Sequence, residues 1–175
     1  MVARMGSEFS DFAVARYAPL LRFALAVSGD RGQAEDLVHT ALVRTAVRWS
    51  SVRRKDDPEA YVRTVIVREH INLWRRLSSR ERVIGVHAEV ARLDPSLAAV
   101  EDRDRLWTAL TSLPARQRAI VVLRHLYDQS EQQTAEQMRC SVGTVKSQCS
   151  RGLQRLRAAL SGDATGADRE PTDAK

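Results

Sequence analysis

An all-α fold, built as two small helical modules, follows from three features of this 175-residue chain. Apolar residues recur at three- and four-residue steps along most of its length, the spacing of one buried helix face. Arg, Ala, Val and Leu dominate while aromatics make up only 5%, a composition that favours helices over sheet and does not suit one large core. Between residues 78 and 100 the periodicity stops. Ser78, Ser79, Gly85 and Pro95 punctuate a segment that reads as a linker.

The first module is predicted over residues 8–80. Residues 8 to about 28 form an amphipathic helix with Phe12, Tyr17, Leu20, Leu21, Ala24 and Leu25 facing inward, ended by Gly29. A second helix runs from Arg31 to about Trp49, with Leu37, Val38, Ala41, Leu42, Thr45, Ala46 and Trp49 at helical spacing. The polar run 50–57 is a loop, and Pro58 suits the first position of the next helix, which extends to about Leu77. In that helix Tyr61, Val62, Val65, Ile66, Ile71, Leu73, Trp74 and Leu77 make a broad apolar face. Thr64, Arg68, Asn72 and Arg75 share one polar stripe, and Arg76, Arg80 and Arg82 extend its positive charge. Such a stripe suits a nucleic-acid backbone, with Asn72 and Trp74 available to a base. A solvated face with snorkelling arginines has the same pattern.

The second module is predicted over residues 101–160, after a linker at 81–100. Helices at about 101–112 and 114–127, the latter opened by Pro114, precede the most informative stretch, Ser130 to Leu156. Ser130 and Gln133 have capping-box spacing, so a helix begins at Glu131. Arg139 and Cys140 interrupt it. Ser141 caps a further helix whose apolar positions are Val142, Val145, Cys149, Leu153, Leu156 and Leu160. Its opposite face carries Thr144, Lys146, Ser147, Gln148 and Arg151. Between Arg139 and Leu160 there are five Arg or Lys and no Asp or Glu. A helix-turn-helix puts the start of its second helix in the major groove, where small residues admit phosphates and Gln or Lys can read base edges. A helical hairpin packed in a core would share the apolar spacing; the acid-free helix argues against it. Residues 161–175 lack an apolar stripe and read as a disordered tail.

A net charge of +6 and a pI of about 10.0 point to a polyanionic partner, nucleic acid rather than membrane. No apolar run approaches the ~20 residues of a membrane span, and the N-terminus lacks a signal-peptide core. Cys140 and Cys149 make neither a disulfide framework nor a metal set, and His39, His70, His87 and His125 share no ligand spacing, so these histidines read as surface or half-buried structural residues. No phosphate loop, nucleophile elbow or carboxylate cluster appears. The expectation is a cytoplasmic, non-enzymatic protein without cofactor or metal.

The order of parts adds a resemblance. AEDLVHTALVRTAVRW, then PEAYVRTVIVREHINLWRR, then LPARQRAIVVLRHLYDQSEQQTAEQMRCSVGTVKSQCSRGLQRLR is similar to the bacterial RNA polymerase sigma factors. The likeness covers about residues 8–160 and is to the extracytoplasmic-function group, SigE-like actinobacterial members in particular. It implies that residues 8–80 bind the polymerase clamp and melt the −10 element, and that 101–160 bind the −35 element. Glu35, Asp36 and Leu37 match the clamp-docking motif, followed by His39 and Thr40 where relatives usually have Gln and an acid. The −10 residues would be Thr64, Arg68, Asn72, Arg75 and Arg76. The −35 residues would be Ser141, Thr144, Lys146, Ser147, Gln148 and Arg151, with Gln148 in place of a common Arg and Arg139 in place of a frequent Gly. Partners so implied are core RNA polymerase and promoter DNA, with an anti-sigma factor as a further candidate. An autonomous helix-turn-helix regulator is the alternative, although residues 8–80 offer no phosphoacceptor Asp in a βα pattern.

Overall fold

In the computed structural model the described residues are 2–53, 57–78 and 97–161, and among them the regular structure is helical throughout. Helix α1 spans Val2–Ser28, α2 Arg31–Val47, α3 Trp49–Val52 and α4 Pro58–Ser78. The second module holds α5 Leu97–Thr111, α6 Ala115–Val121, which continues into a π-helical turn at Val122–Leu126, α7 Glu131–Met138 and α8 Val142–Ser161. Helix α5 thus begins inside the segment read as linker; Leu97, Ala98, Ala99 and Val100 follow Pro95 and Ser96 and carry no helix breaker. The rest of that linker and the tail beyond Ser161 lie outside the described residues. Pro114 is the residue before α6 rather than its first, because its extended backbone (ψ 137°) places it at the cap.

The helix boundaries follow local chemistry. Gly29, at φ +72°, turns the chain after α1 and returns its N–H to the Leu25 carbonyl at 2.8 Å. Asp30 then caps α2 by accepting from the Gln33 amide at 2.7 Å. Helices α1, α2 and α4 pack as a bundle around Leu20, Phe23, Ala24, Val27, Ala34, Val38, Ala41, Val62 and Ile66. Short α3 closes its end, where Trp49 meets Phe9 and Phe12 at ring-centroid distances of 5.4 and 5.0 Å. Tyr17 is not part of this core: it is 43% exposed, whereas Phe23, absent from the expected set, is fully buried. Ala46 also faces solvent.

In the second module α6 and α8 lie face to face, with Ile120, Val121, Leu123 and Val145 fully or almost fully buried. The approach is close because Gly152 stands at the crossing; a Cβ there would sit 2.7 Å from Val121 Cγ2. The two modules also pack on each other, α1 against α6 and α4 against α7, so that one apolar core runs through both. Modules of this size bury too little surface alone, and here each supplies part of the other's cover.

Candidate nucleic-acid and polymerase interfaces

The helix-turn-helix is shaped by its caps. Ser130 Oγ accepts from the Gln133 amide at 3.1 Å, while Gln133 Oε1 accepts from the Ser130 amide at 2.8 Å, completing the capping box. Helix α7 ends at Arg139, whose backbone is left-handed (φ 50°, ψ 52°). Ser141 Oγ accepts from the Thr144 amide at 3.1 Å and starts α8. The expected division of α8 holds: Val145 is buried, and Val142, Cys149, Leu153, Leu156 and Leu160 are half-buried.

On the other side of α8, Ser141, Lys146, Ser147 and Arg151 are exposed and Thr144 is half-buried. Lys146 Nζ lies 3.5 Å from Glu131 Oε2, an open ion pair that leaves the ammonium accessible. Gln148 is held differently: its Oε1 accepts from Gln117 Nε2 of α6 at 3.2 Å. Its amide is therefore positioned by α6, at the margin of the exposed face. At the base of the same helix, Cys149 Sγ meets His125 Nε2 at 3.4 Å, and burial pushes the thiol pKa up. That contact joins residues 24 apart and has no local sequence signal.

The stripe on α4 divides toward its C-terminal end. Arg68 is exposed, and Thr64 donates its hydroxyl to the Ala60 carbonyl at 2.9 Å. Asn72 and Arg76 open onto a cleft between α2 and α4, with a volume of about 360 Å³, that Asp36, Leu37 and Thr40 also line. Arg75 turns instead toward the second module, lining a cavity with His70, Trp74, Arg116 and Arg139. On α2, Asp36 and His39 are exposed and Thr40 is half-buried; Glu35 pairs with Arg31 at 2.9 Å. Leu37, which falls both on the apolar face of α2 and in the docking motif, is 4% exposed within the core and also lines the cleft. Sequence reasoning missed Val43 and Val47, 52% and 83% exposed, which continue the face of Asp36 and Thr40 at steps of three and four. Their signal was present, as two valines outside the apolar period.

His70 corrects the reading of the histidines. It is 5% exposed, its Nδ1 has no partner, and burial, then the nearby Arg118 charge, bring its pKa down to about 4. It is neutral at physiological pH. Among the described residues there is no group of three or more His, Cys, Asp or Glu placed to hold a metal ion, and no helix long and apolar enough to cross a membrane.

The two helical modules match two known families in turn. Residues 13–80 fit the model of sigma-70 region 2, and residues 103–156 that of sigma-70 region 4. The RNA polymerase sigma-E factor of Streptomyces avermitilis is 38% identical over 153 residues, covering 87% of this chain and 85% of that protein. Its Streptomyces coelicolor counterpart is 36% identical, covering 87% and 86%. Among solved structures, the sigma factor RpoE of Bartonella quintana, in complex with the anti-sigma factor NepR, superposes with a TM-score of 0.65 at 26% identity, over 89% of this chain and 98% of that one. With its region-2 match on the α1–α4 bundle and its region-4 match ending in the helix-turn-helix, the chain belongs to the sigma-70 family of RNA polymerase sigma factors, in the extracytoplasmic-function group and of the SigE-like kind.

Proposed function

We propose that this sigma factor, which directs transcription initiation, docks on core RNA polymerase through α2, holds the opened −10 strand with the α4 stripe, and reads the −35 element with α8. The observation that carries this division of labour is the cleft between α2 and α4. Asp36 and Thr40 of the docking helix share it with Asn72 and Arg76 of the stripe, so a polymerase seated on α2 borders the place where a separated strand would lie. Arg68, Asn72 and Arg76 supply positive charge and a base-reading amide along one side. Val43 and Val47 give the docking face an apolar component beside Asp36 and His39. On α8, Lys146 and Arg151 contact phosphates while Ser141, Thr144, Ser147 and Gln148 lie against the groove.

The chain itself carries no chemistry in this scheme; bond formation is the polymerase's. Its place of action is the cytoplasm, with the enzyme it serves. The Bartonella complex supports an anti-sigma factor as a further partner.

The test is transcription with purified core polymerase from a duplex promoter and from the same promoter with a pre-opened −10 bubble. The double change Arg68→Ala with Asn72→Ala is expected to leave polymerase association intact and to cut transcript yield on the duplex. The bubble template is expected to restore much of that yield. Equal loss on both templates would assign the stripe to docking or folding instead. Tight specific promoter binding by the free chain would favour an autonomous regulator.

A further inference from the structure

Gln148 does not offer both ends of its amide to a groove. Its Oε1 accepts from Gln117 Nε2 of α6 at 3.2 Å. The residue that holds it is fixed in place. Gln117 is 7% exposed, and α8 crosses closely over it: a Cβ at Gly152, one turn beyond Gln148, would lie 3.5 Å from Gln117 Cβ and 3.7 Å from its carbonyl oxygen. The next residue, Arg118, ties the same stretch of backbone down. It is 8% exposed and donates to the carbonyls of Val27, Thr111 and Leu113 at 3.2 Å each, and to that of Ser28.

Which end of each amide points where follows from what lies behind Gln117. Its Oε1 is buried and meets no donor among the described residues. With both amides turned end for end, the Gln117 NH2 would take that place and bury two N–H groups without an acceptor. Buried carbonyl oxygens go short of partners more readily than buried N–H groups do. Gln117 therefore donates and Gln148 accepts.

The group left to Gln148 for a base edge is its NH2. A free Gln amide pairs with adenine by accepting from N6 and donating to N7, which needs both ends. A donor alone suits guanine, whose N7 and O6 are neighbouring acceptors. At adenine it meets the N6 amino group, a second donor.

We infer that Gln117, buried beneath α8, sets the base choice of that helix by holding Gln148 as a donor, so that the −35 base pair Gln148 faces is G·C rather than A·T. Gln117 is a positioning residue, acting on DNA only through its neighbour. The inference rests on the reading of α8 as the −35 helix.

The test is competition binding by the full chain with core polymerase, on −35 duplexes carrying each of the four base pairs at every position in turn. Gln148→Ala marks the position that Gln148 reads, as the one whose preference it flattens. There the parent is expected to favour G·C over A·T by about tenfold. Gln117→Met keeps the length and removes the donor; Gln117→Asn keeps the amide but draws it back by one methylene. Each is checked for retained helicity. Both are expected to lose the preference by binding A·T better, with preferences at other positions unchanged. In the Gln148→Ala background neither should alter base preference further, which separates positioning of the amide from a general role in packing. A parent preference for A·T at that position would overturn the inference, and this arm decides even where a variant does not fold. A G·C preference that survives both changes, or an equal loss of preference at every position, would overturn it too. If Gln148→Ala flattens no position while the parent still selects −35 sequence, Gln148 faces no base and the inference falls alone. Absence of any −35 selection by the parent would overturn the reading of α8 itself.

Discussion

Replacing Gly152 by Ala should destabilise this protein, although on an isolated helix the same change would help. Gly in a helix interior is unfavourable relative to Ala by about 1 kcal/mol. That gain is available only if the new methyl has room. Its carbon would stand 2.7 Å from Val121 Cγ2, whereas relaxed carbon contacts lie at about 3.5–4.0 Å. Helices α6 and α8 would have to part by roughly 1 Å. Val121 is 2% exposed and has no free direction in which to swing. Overpacking of this kind costs roughly 1–3 kcal/mol, so the net loss reaches about 2 kcal/mol after the helical gain. Gly143, in the first turn of the same helix, is the control: its nearest neighbour to an added Cβ is Ser141 Oγ at 3.8 Å. Gly143→Ala should therefore gain up to about 1 kcal/mol. Urea unfolding followed by circular dichroism would measure both. Val121→Ala should cost less in the Gly152→Ala background than in the parent, since it removes the offending methyl. If Gly152→Ala stabilises as much as Gly143→Ala does, α8 does not lie against α6 at this distance and the placement of its DNA-facing side fails with it.

Other outcomes follow from the same structure. His70 is neutral and buried with a pKa of about 4, so the unfolded chain binds the extra proton between pH 6.5 and 4; stability should be complete above that window and fall as pH drops through it, by at most about 3 kcal/mol. Thermal melts at pH 7 and pH 5 check this, and His70→Gln should flatten the difference. Arg139→Gly relieves a left-handed residue at about 1–2 kcal/mol, offset in part by the looser unfolded chain, for a net gain of about 0.5 kcal/mol in urea unfolding. Lys146→Ala should weaken DNA binding across all sequences and lower the salt slope by about 1, in titrations on −35 duplexes with polymerase present. Gln148→Ala should relax one base position, and Gln117→Ala should reproduce part of that effect, because Gln117 orients the Gln148 amide.

What the sequence made legible was local. The apolar steps of Val62, Val65 and Ile66 locate α4, and the Ser130–Gln133 spacing locates the start of α7, because each depends on residues within one or two turns. A contact with a partner ninety residues away has no such support. Arg118 stands in plain view within LPARQR, yet nothing in that motif reveals that its acceptors are the carbonyls of Val27 and Ser28. Periodicity alone favours Tyr17 over Phe23 for the core, since α1 has two apolar faces and only the second module decides which aromatic is covered. Glycine at 152 looks like a weak point in a helix until its neighbour on α6 is placed. On the candidate surfaces, residue types and helical phase identify the exposed cations; the tether on Gln148 requires packing.

Arg118 grips main-chain oxygens and not side chains, which gives the interface an unusual tolerance. Substitution at residue 28 leaves the acceptors where they are, provided the helix still ends there and glycine still follows. The grip is therefore transferable: a hybrid joining this α5–α8 half to the α1–α4 half of a relative should close as the parent does, if that relative's first helix ends in the same way. Diversification of the α1–α4 half can proceed without matched changes in the α5–α8 half, and the two halves can be recombined as separate parts.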